Sequence, residues 1–152
     1  MYGGMSIPAL EVTGLLASGI HACNVDEIRA RFGRFQGSDR RPRLMQKLEA
    51  FLVELRASAI VRAVIIDGSF VTMEESPNDV DLLIVLPSGH DFRSELGPAQ
   101  YKVLDRRRVR RTFGLDILVA EEGSEDYTAL VSFFHRVRLQ PQLTKGILRL
   151  EL

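Results

Sequence analysis

Apolar positions along this chain follow two rhythms, one helical and one extended. Leu44, Leu48, Phe51, Leu52 and Leu55 recur at i, i+4, i+7, i+8 and i+11, which places them on one face of a helix. Gly37-Ser38-Asp39 reads as the opening of that helix. Upstream, Asn24 caps a shorter helix, with Glu27 three residues on completing a variant capping box and Gly33 as the stop. Residues 1 to about 24 are rich in Gly, Pro and Ala without a sustained period, and read as an irregular lead-in. From Val61 the rhythm changes. Val64-Ile65-Ile66 is a β-branched run ended by Asp67-Gly68-Ser69, which predicts a strand, a tight turn and a helix start near Ser69-Phe70. Pro77-Asn78 marks a second turn, and a strand follows from Asp79 to Leu86. Its later part, Leu82 to Leu86, is apolar at every position, as in a strand buried on both faces at the centre of a sheet. Pro87-Ser88-Gly89 stops it. Pro98 to Arg111 predicts one helix leaving through Gly114, and Leu115 to Val119 a third strand. Ser124 caps a last helix running to about Val137, with Leu130, Val131, Phe134 and Val137 as its apolar face. Ile147 to Leu150 alternates weakly and reads as an edge strand. The whole predicts an α/β (α+β) fold, a small mixed β-sheet flanked by helices.

Composition narrows the class without naming a partner. A chain of 152 residues that is 45% apolar fits one globular domain and argues against disorder. Formal net charge is zero, so no global field selects an acidic or basic partner. No apolar run approaches the ~18 to 20 residues of a membrane span, and Met1-Tyr2-Gly3-Gly4-Met5 lacks the basic and apolar regions of a signal peptide. Cys23 has no cysteine to pair with, and together these features point to the cytoplasm and away from membranes. His21, His90 and His135 offer no zinc-type spacing, so a metal site here is built of oxygen.

The chemistry concentrates between Asp67 and Asp116. Asp79 and Asp81 are one residue apart at a strand start, so both side chains emerge on one face. Two such carboxylates repel, and a shared hard cation such as Mg²⁺ removes the repulsion. Asp116, between Leu115 and Ile117, is costly in an apolar strand unless paired or metal-bound, and completes a triad if its strand neighbours that of Asp81. Gly68 permits a sharp turn and close approach of a ligand, while the amides and hydroxyl at Ser69 and Phe70 can receive phosphate oxygens. Each piece also has an ordinary reading: Gly-Ser as a turn, Asp-x-Asp as a solvated strand end or a helix cap, Asp116 as an edge residue facing water. Their combination, in order and each beside a strand, points to metal-assisted phosphoryl chemistry.

Gly68-Ser69, Asp79-x-Asp81 and Asp116 resemble the signature of the DNA polymerase β-type nucleotidyltransferase superfamily, and the compact size is similar to its minimal prokaryotic members. Gly19-Ile20-His21-Ala22, Asp67 to Thr72, Pro77 to Asp81 and Lys145 to Leu148 resemble a bacterial family of such proteins of uncharacterised function, from about residue 7 to the end. The resemblance implies the nucleotidyltransferase fold and a two-metal transfer of a nucleoside monophosphate with release of pyrophosphate. It also implies roles: Asp79 and Asp81 on both Mg²⁺ (or Mn²⁺) ions and the triphosphate, Asp116 on the ion that activates the attacking hydroxyl, and Ser69 on a terminal phosphate. Under this reading residues 1–60 form a helical extension, 61–120 the catalytic core, and 121–152 a C-terminal helix and tail. Many superfamily enzymes carry a further helical domain after the third strand. Only a short tail follows here, which leaves room for a small helical partner protein.

Three other features have two readings each. Arg106 to Arg111 holds five arginines in six positions after Lys102, either a solvated helix face or a phosphate patch of which two or three side chains share one side. Lys145 is a candidate triphosphate contact or an exposed lysine. His21 and His135 read as structural or exposed, and Phe133-Phe134 as core. The functional expectation is a metal-dependent nucleotidyltransferase carrying AMP or another nucleoside monophosphate to a protein or RNA acceptor. The alternative is a non-catalytic nucleotide- or partner-binding module, such as a toxin–antitoxin component. No helix-turn-helix pattern or strongly basic domain supports a DNA-binding regulator.

Overall fold

A computed structural model describes residues 7–91 and 93–152. The stretch from Met1 to Ser6, read above as the start of the lead-in and as lacking a signal-peptide pattern, lies outside the described residues. The described chain forms five strands and five helices: β1 (Gly19–Cys23), α1 (Val25–Phe32), α2 (Arg40–Ser58), β2 (Ala63–Asp67), β3 (Asp81–Leu86), α3 (Pro98–Leu104), α4 (Arg106–Phe113), β4 (Asp116–Glu121), α5 (Glu125–Phe134) and β5 (Gly146–Glu151). A single 3₁₀ turn, Ser69–Val71, follows β2. None of these helices is long and apolar enough to cross a membrane.

Local signals account for most boundaries. The Asn24 side chain accepts from the Glu27 amide at 2.9 Å, and the Asn24 amide donates to Glu27 Oε1 at 3.1 Å, the reciprocal capping box expected from the sequence. Ser124 accepts from the Tyr127 amide and starts α5. The stripe on α2 is buried from Leu44 to Leu55. The expected helix over 98–111 is instead two helices, because Asp105 leaves the helical conformation (ψ 101°) and caps α4 by accepting from the Arg108 amide. α5 ends at Phe134, not Val137. Gly114 does provide the left-handed exit from α4 (φ 70°).

The sheet is mixed and ordered β1-β5-β2-β3-β4, with β1·β5 and β3·β4 parallel and the two central pairings antiparallel. Two expectations fail here. The lead-in contains β1, and the tail strand β5 is interior, hydrogen-bonded to β1 on one side and β2 on the other. Strand parity sorts the core into two layers. Val64, Ile66, Leu82, Ile84, Ile117 and Leu148 face the layer built by α1 to α4. Ala63, Ile65, Leu83, Val85, Ala120 and Ile147 face Val131 and Phe134 of α5. One face therefore carries four helices and the other a single ten-residue helix, which covers only part of the sheet.

Candidate functional site at the edge of the α5 face

Register and parity together make the site. Asp67 is the direct partner of Asp81 across the antiparallel β2·β3 pair, and Asp81 is the direct partner of Asp116 across the parallel β3·β4 pair. Directly paired residues point to the same side of a sheet. Asp67 stands two residues from Ile65, and Asp81 two from Leu83, so the row of three aspartates points to the α5 side. The condition set for Asp116, that its strand neighbour that of Asp81, is met. Lys145 lies two residues before Ile147 and reaches the same side, with Nζ 2.8 Å from Asp67 Oδ1 and 3.0 Å from Oδ2.

The four acids of this region experience different environments. Asp67 is 4% exposed; burial pushes its carboxyl above the ordinary range, and the Lys145 ammonium opposes that push. Its Oδ1 accepts no well-formed hydrogen bond despite the nearby ammonium. The side chain of Asp81, in the middle of the row, has no hydrogen bond or ion pair with any described residue. Burial and the charges of Asp79, Asp67 and Asp116 push it up to about 6. Asp79 precedes β3. Burial tends to raise its carboxyl, but the Ser69 hydroxyl and amide outweigh burial and hold it below the ordinary range. Asp116 is paired to Arg110 Nη1 at 2.7 Å in a half-exposed bridge.

The turn after β2 is built for this loop. Gly68 has φ +97°, and a Cβ there would stand 2.8 Å from the Asp79 carbonyl oxygen and 3.1 Å from the Asp81 amide. Its glycine is required by the chain lying across it. The Ser69 amide and hydroxyl both donate to Asp79 Oδ1, at 2.9 and 2.5 Å, while the Asn78 and Asp79 amides donate to Ser69 Oγ. The Phe70 amide donates to the Asp79 carbonyl. The groups expected to receive phosphate are thus directed to the protein's own loop, and the expected helix start is one 3₁₀ turn.

Two arginines at the start of α2 hold this loop from behind. Arg41 is 1% exposed and donates to the carbonyls of Phe32, Phe70, Thr72 and Glu74. Arg40 donates to the Pro77 carbonyl and Asn78 Oδ1. The sequence offered no signal for Arg41, which sits in a run reading Arg40-Arg41-Pro42-Arg43. Asp67 was missed as a site residue because the sequence reads it as the first residue of the turn Asp67-Gly68-Ser69, whereas it is the last residue of β2.

A cleft of about 1340 Å³ opens beside the acids, bounded by Ser69, Asp79, Asp81, Met73, Arg136 and Lys145 among others. A smaller recess of about 310 Å³ adjoins it, where Arg106, Asp81, Asp116 and Phe133 meet. Phe133, expected in the core, is 55% exposed and borders both spaces; Phe134 is buried as expected. The arginine cluster divides. Arg108 makes a two-pronged bridge to Glu54 of α2, Arg110 pairs with Asp116, and Arg106 lines the smaller recess. His21 bonds the Ala17 carbonyl, and His135 donates through Nδ1 to the Lys145 carbonyl, so both are structural.

A hard-cation site requires several oxygen ligands converging on one point. Among the described residues no three acidic, histidine or cysteine side chains stand ready as such a cage. The donor chemistry nevertheless fits Mg²⁺ or Mn²⁺: an unpartnered, partly buried carboxylate at Asp81, with Asp79 and Asp116 beside it. Both neighbours would exchange a present partner, Ser69 or Arg110, for the ion.

The model of one protein family, described as a family of unknown function (DUF6932), matches residues 8–151, and the chain belongs to that family. No curated protein and no solved structure matches the chain.

Proposed function

We propose that this member of the DUF6932 family is a metal-dependent nucleotidyltransferase that transfers a nucleoside monophosphate from a nucleoside triphosphate to a protein or RNA acceptor. One observation carries the reading: the register-paired row Asp67–Asp81–Asp116, with Asp79 beside it and Asp81 left without a partner at the edge of an open cleft. An unpaired carboxylate among three others is destabilising by itself, and a cation with a polyphosphate relieves it. Asp79, Asp81 and Asp116 would hold Mg²⁺ or Mn²⁺, which supplies charge neutralisation at the triphosphate and acidifies the acceptor hydroxyl.

In the transfer, the acceptor hydroxyl gives its proton to solvent, its oxygen forms a bond to the α-phosphorus, and the bond from that phosphorus to the departing pyrophosphate breaks. Asp79 and Asp81 orient the triphosphate side, and Asp116, next to the smaller recess, orients the acceptor side. Lys145 is held by Asp67 and screens the acids from the incoming phosphates. Gly68 and Ser69 fix the position of Asp79 and contact phosphate only if the Ser69–Asp79 bonds open.

The test is label transfer from α-labelled nucleoside triphosphates with Mg²⁺ and cell lysate. Loss of Asp116 should impair the chemical step selectively, since its role lies with the attacking group. Asp116→Ala should keep triphosphate affinity within about tenfold, roughly 1.4 kcal/mol, while transfer falls by orders of magnitude. Transfer by Asp116→Ala at the wild-type rate would remove that role. The second reading, a non-catalytic nucleotide- or partner-binding module such as a toxin–antitoxin component, is favoured by the internal pairing of Ser69 with Asp79 and of Asp116 with Arg110. Triphosphate binding without any labelled product, even with a small helical partner added, would select it.

A further inference from the structure

If a nucleotide enters the large cleft, something must take its phosphates, and the expected groups are engaged. Ser69 directs both its donors to Asp79, and Lys145 is ion-paired to buried Asp67. In the same cleft as these acids, the segment after α5 supplies two cations of another kind. Arg136 and Arg138 line the cleft, and neither side chain has a hydrogen bond or ion pair with any described residue. The segment that carries them is tied at its base. The Lys145 amide donates to the His135 carbonyl at 2.9 Å, His135 Nδ1 donates to the Lys145 carbonyl at 2.8 Å, and Arg136 bridges to Thr144. Leu139, with φ 65°, turns the chain back at the tip.

Phe133 adds a flat apolar surface at the same place. Its ring leans on buried Phe134, with centroids 6.2 Å apart and planes at 46°, while 55% of the residue remains exposed beside the acids. A half-anchored ring loses little freedom when a planar group stacks on it. Free guanidinium forks suit phosphate oxygens. A cleft of about 1340 Å³ lined by acids, by two arginines with free side chains and by an exposed aromatic ring offers chemistry suited to the metal-bound phosphates and the base of a nucleotide.

We infer that Arg136 and Arg138 bind the polyphosphate of a nucleoside triphosphate and that Phe133 stacks on its base, so that the end of α5 and the loop after it form the nucleotide-selecting wall. This rests on the nucleotidyltransferase reading and assigns its substrate contacts to a segment that lies outside the Gly-Ser and Asp-x-Asp motifs.

The experiment is calorimetric titration of the full chain with each of the four ribonucleoside triphosphates and, separately, with inorganic triphosphate, all with Mg²⁺. Arg136→Ala combined with Arg138→Ala should weaken nucleoside and inorganic triphosphate alike, by about tenfold or more. Phe133→Ala should weaken the nucleoside triphosphate by about tenfold and leave inorganic triphosphate unchanged. Melting temperatures close to wild type, expected for exposed side chains, show that both variants fold. Wild-type affinity in both variants, with binding abolished by Asp81→Asn, would overturn the inference while the parent reading stands. Equal loss of both ligands in Phe133→Ala would overturn the stacking role. No triphosphate binding by the wild-type chain would overturn the parent reading and this inference with it.

Discussion

Replacing Asp81 by Asn removes the one carboxylate of the row that has no direct partner, its only relief being the Lys145 charge held by Asp67. In the folded chain its carboxyl is pushed up to about 6 from an ordinary 3.8, first by burial and then by Asp79, Asp67 and Asp116. At ~1.4 kcal/mol per pH unit that gap corresponds to about 3 kcal/mol. Asp81 is only partly buried, so solvent screening reduces the figure to roughly 1–2 kcal/mol. The sign follows from proton linkage. A folded-state value above the unfolded one means that the native chain holds the extra proton between about pH 4 and 6, so stability falls as pH rises through that window. Asp81→Asn should therefore be more stable than wild type at pH 7.5 by roughly 1–2 kcal/mol, about 3–6 °C in melting temperature for a chain of this size. The gain should shrink toward zero near pH 4, where Asp81 is already protonated. The Asn amide adds a donor facing acceptor oxygens of its neighbours, which works in the same direction. The assay is urea denaturation of both proteins in EDTA at several pH values. A destabilised Asn variant at pH 7.5, or a gain that does not change with pH, would refute the electrostatic account of the row. Mg²⁺ should then narrow the difference, since only the wild type retains the central ligand.

Three further outcomes follow from the geometry. Gly68→Ala should cost about 2–4 kcal/mol in urea denaturation, because its Cβ meets the Asp79 carbonyl at 2.8 Å in a left-handed backbone; near-wild-type stability would show that the loop yields freely. Lys145→Met should lose about 3 kcal/mol by leaving Asp67 charged and buried, and Asp67→Leu in the same chain should restore most of it; an Asp67→Leu variant that fails to rescue would deny the pair its present role. Arg41→Met should cost about 3 kcal/mol or more and expose residues 70–78 to limited proteolysis, with Arg41→Lys recovering only part, since one ammonium cannot reach four carbonyls; unchanged proteolysis would mean the loop is held by other contacts.

Elements whose causes are local were legible in the residues alone. The capping box of α1, the stripe of α2, the Ser124 cap and the uniformly apolar core of β3 depend on groups within a turn or two of one another, and the structure bears them out. Asp105 was a local cap too, but it was hidden inside a helix-favouring stretch. The strands at the two ends of the chain were not legible in this way. β1 is five residues whose partner lies more than a hundred positions away, and β5 reads as an edge because weak alternation says nothing about how many neighbours a strand acquires.

The site divides along the same line. Adjacency of β3 and β4 brought Asp116 beside Asp81 as the sequence condition required, while Asp79, expected on the strand, lies before it and is placed by its bonds to Ser69. Pairing register decided the rest. It set Asp67 opposite Asp81, carried Lys145 from the far end of the chain to Asp67, and left Asp81 between three charges with no partner. A residue's type and its spacing determine what it can bind; which other groups reach it first is decided by strand order and loop closure, because those contacts join positions that only the folded sheet makes neighbours.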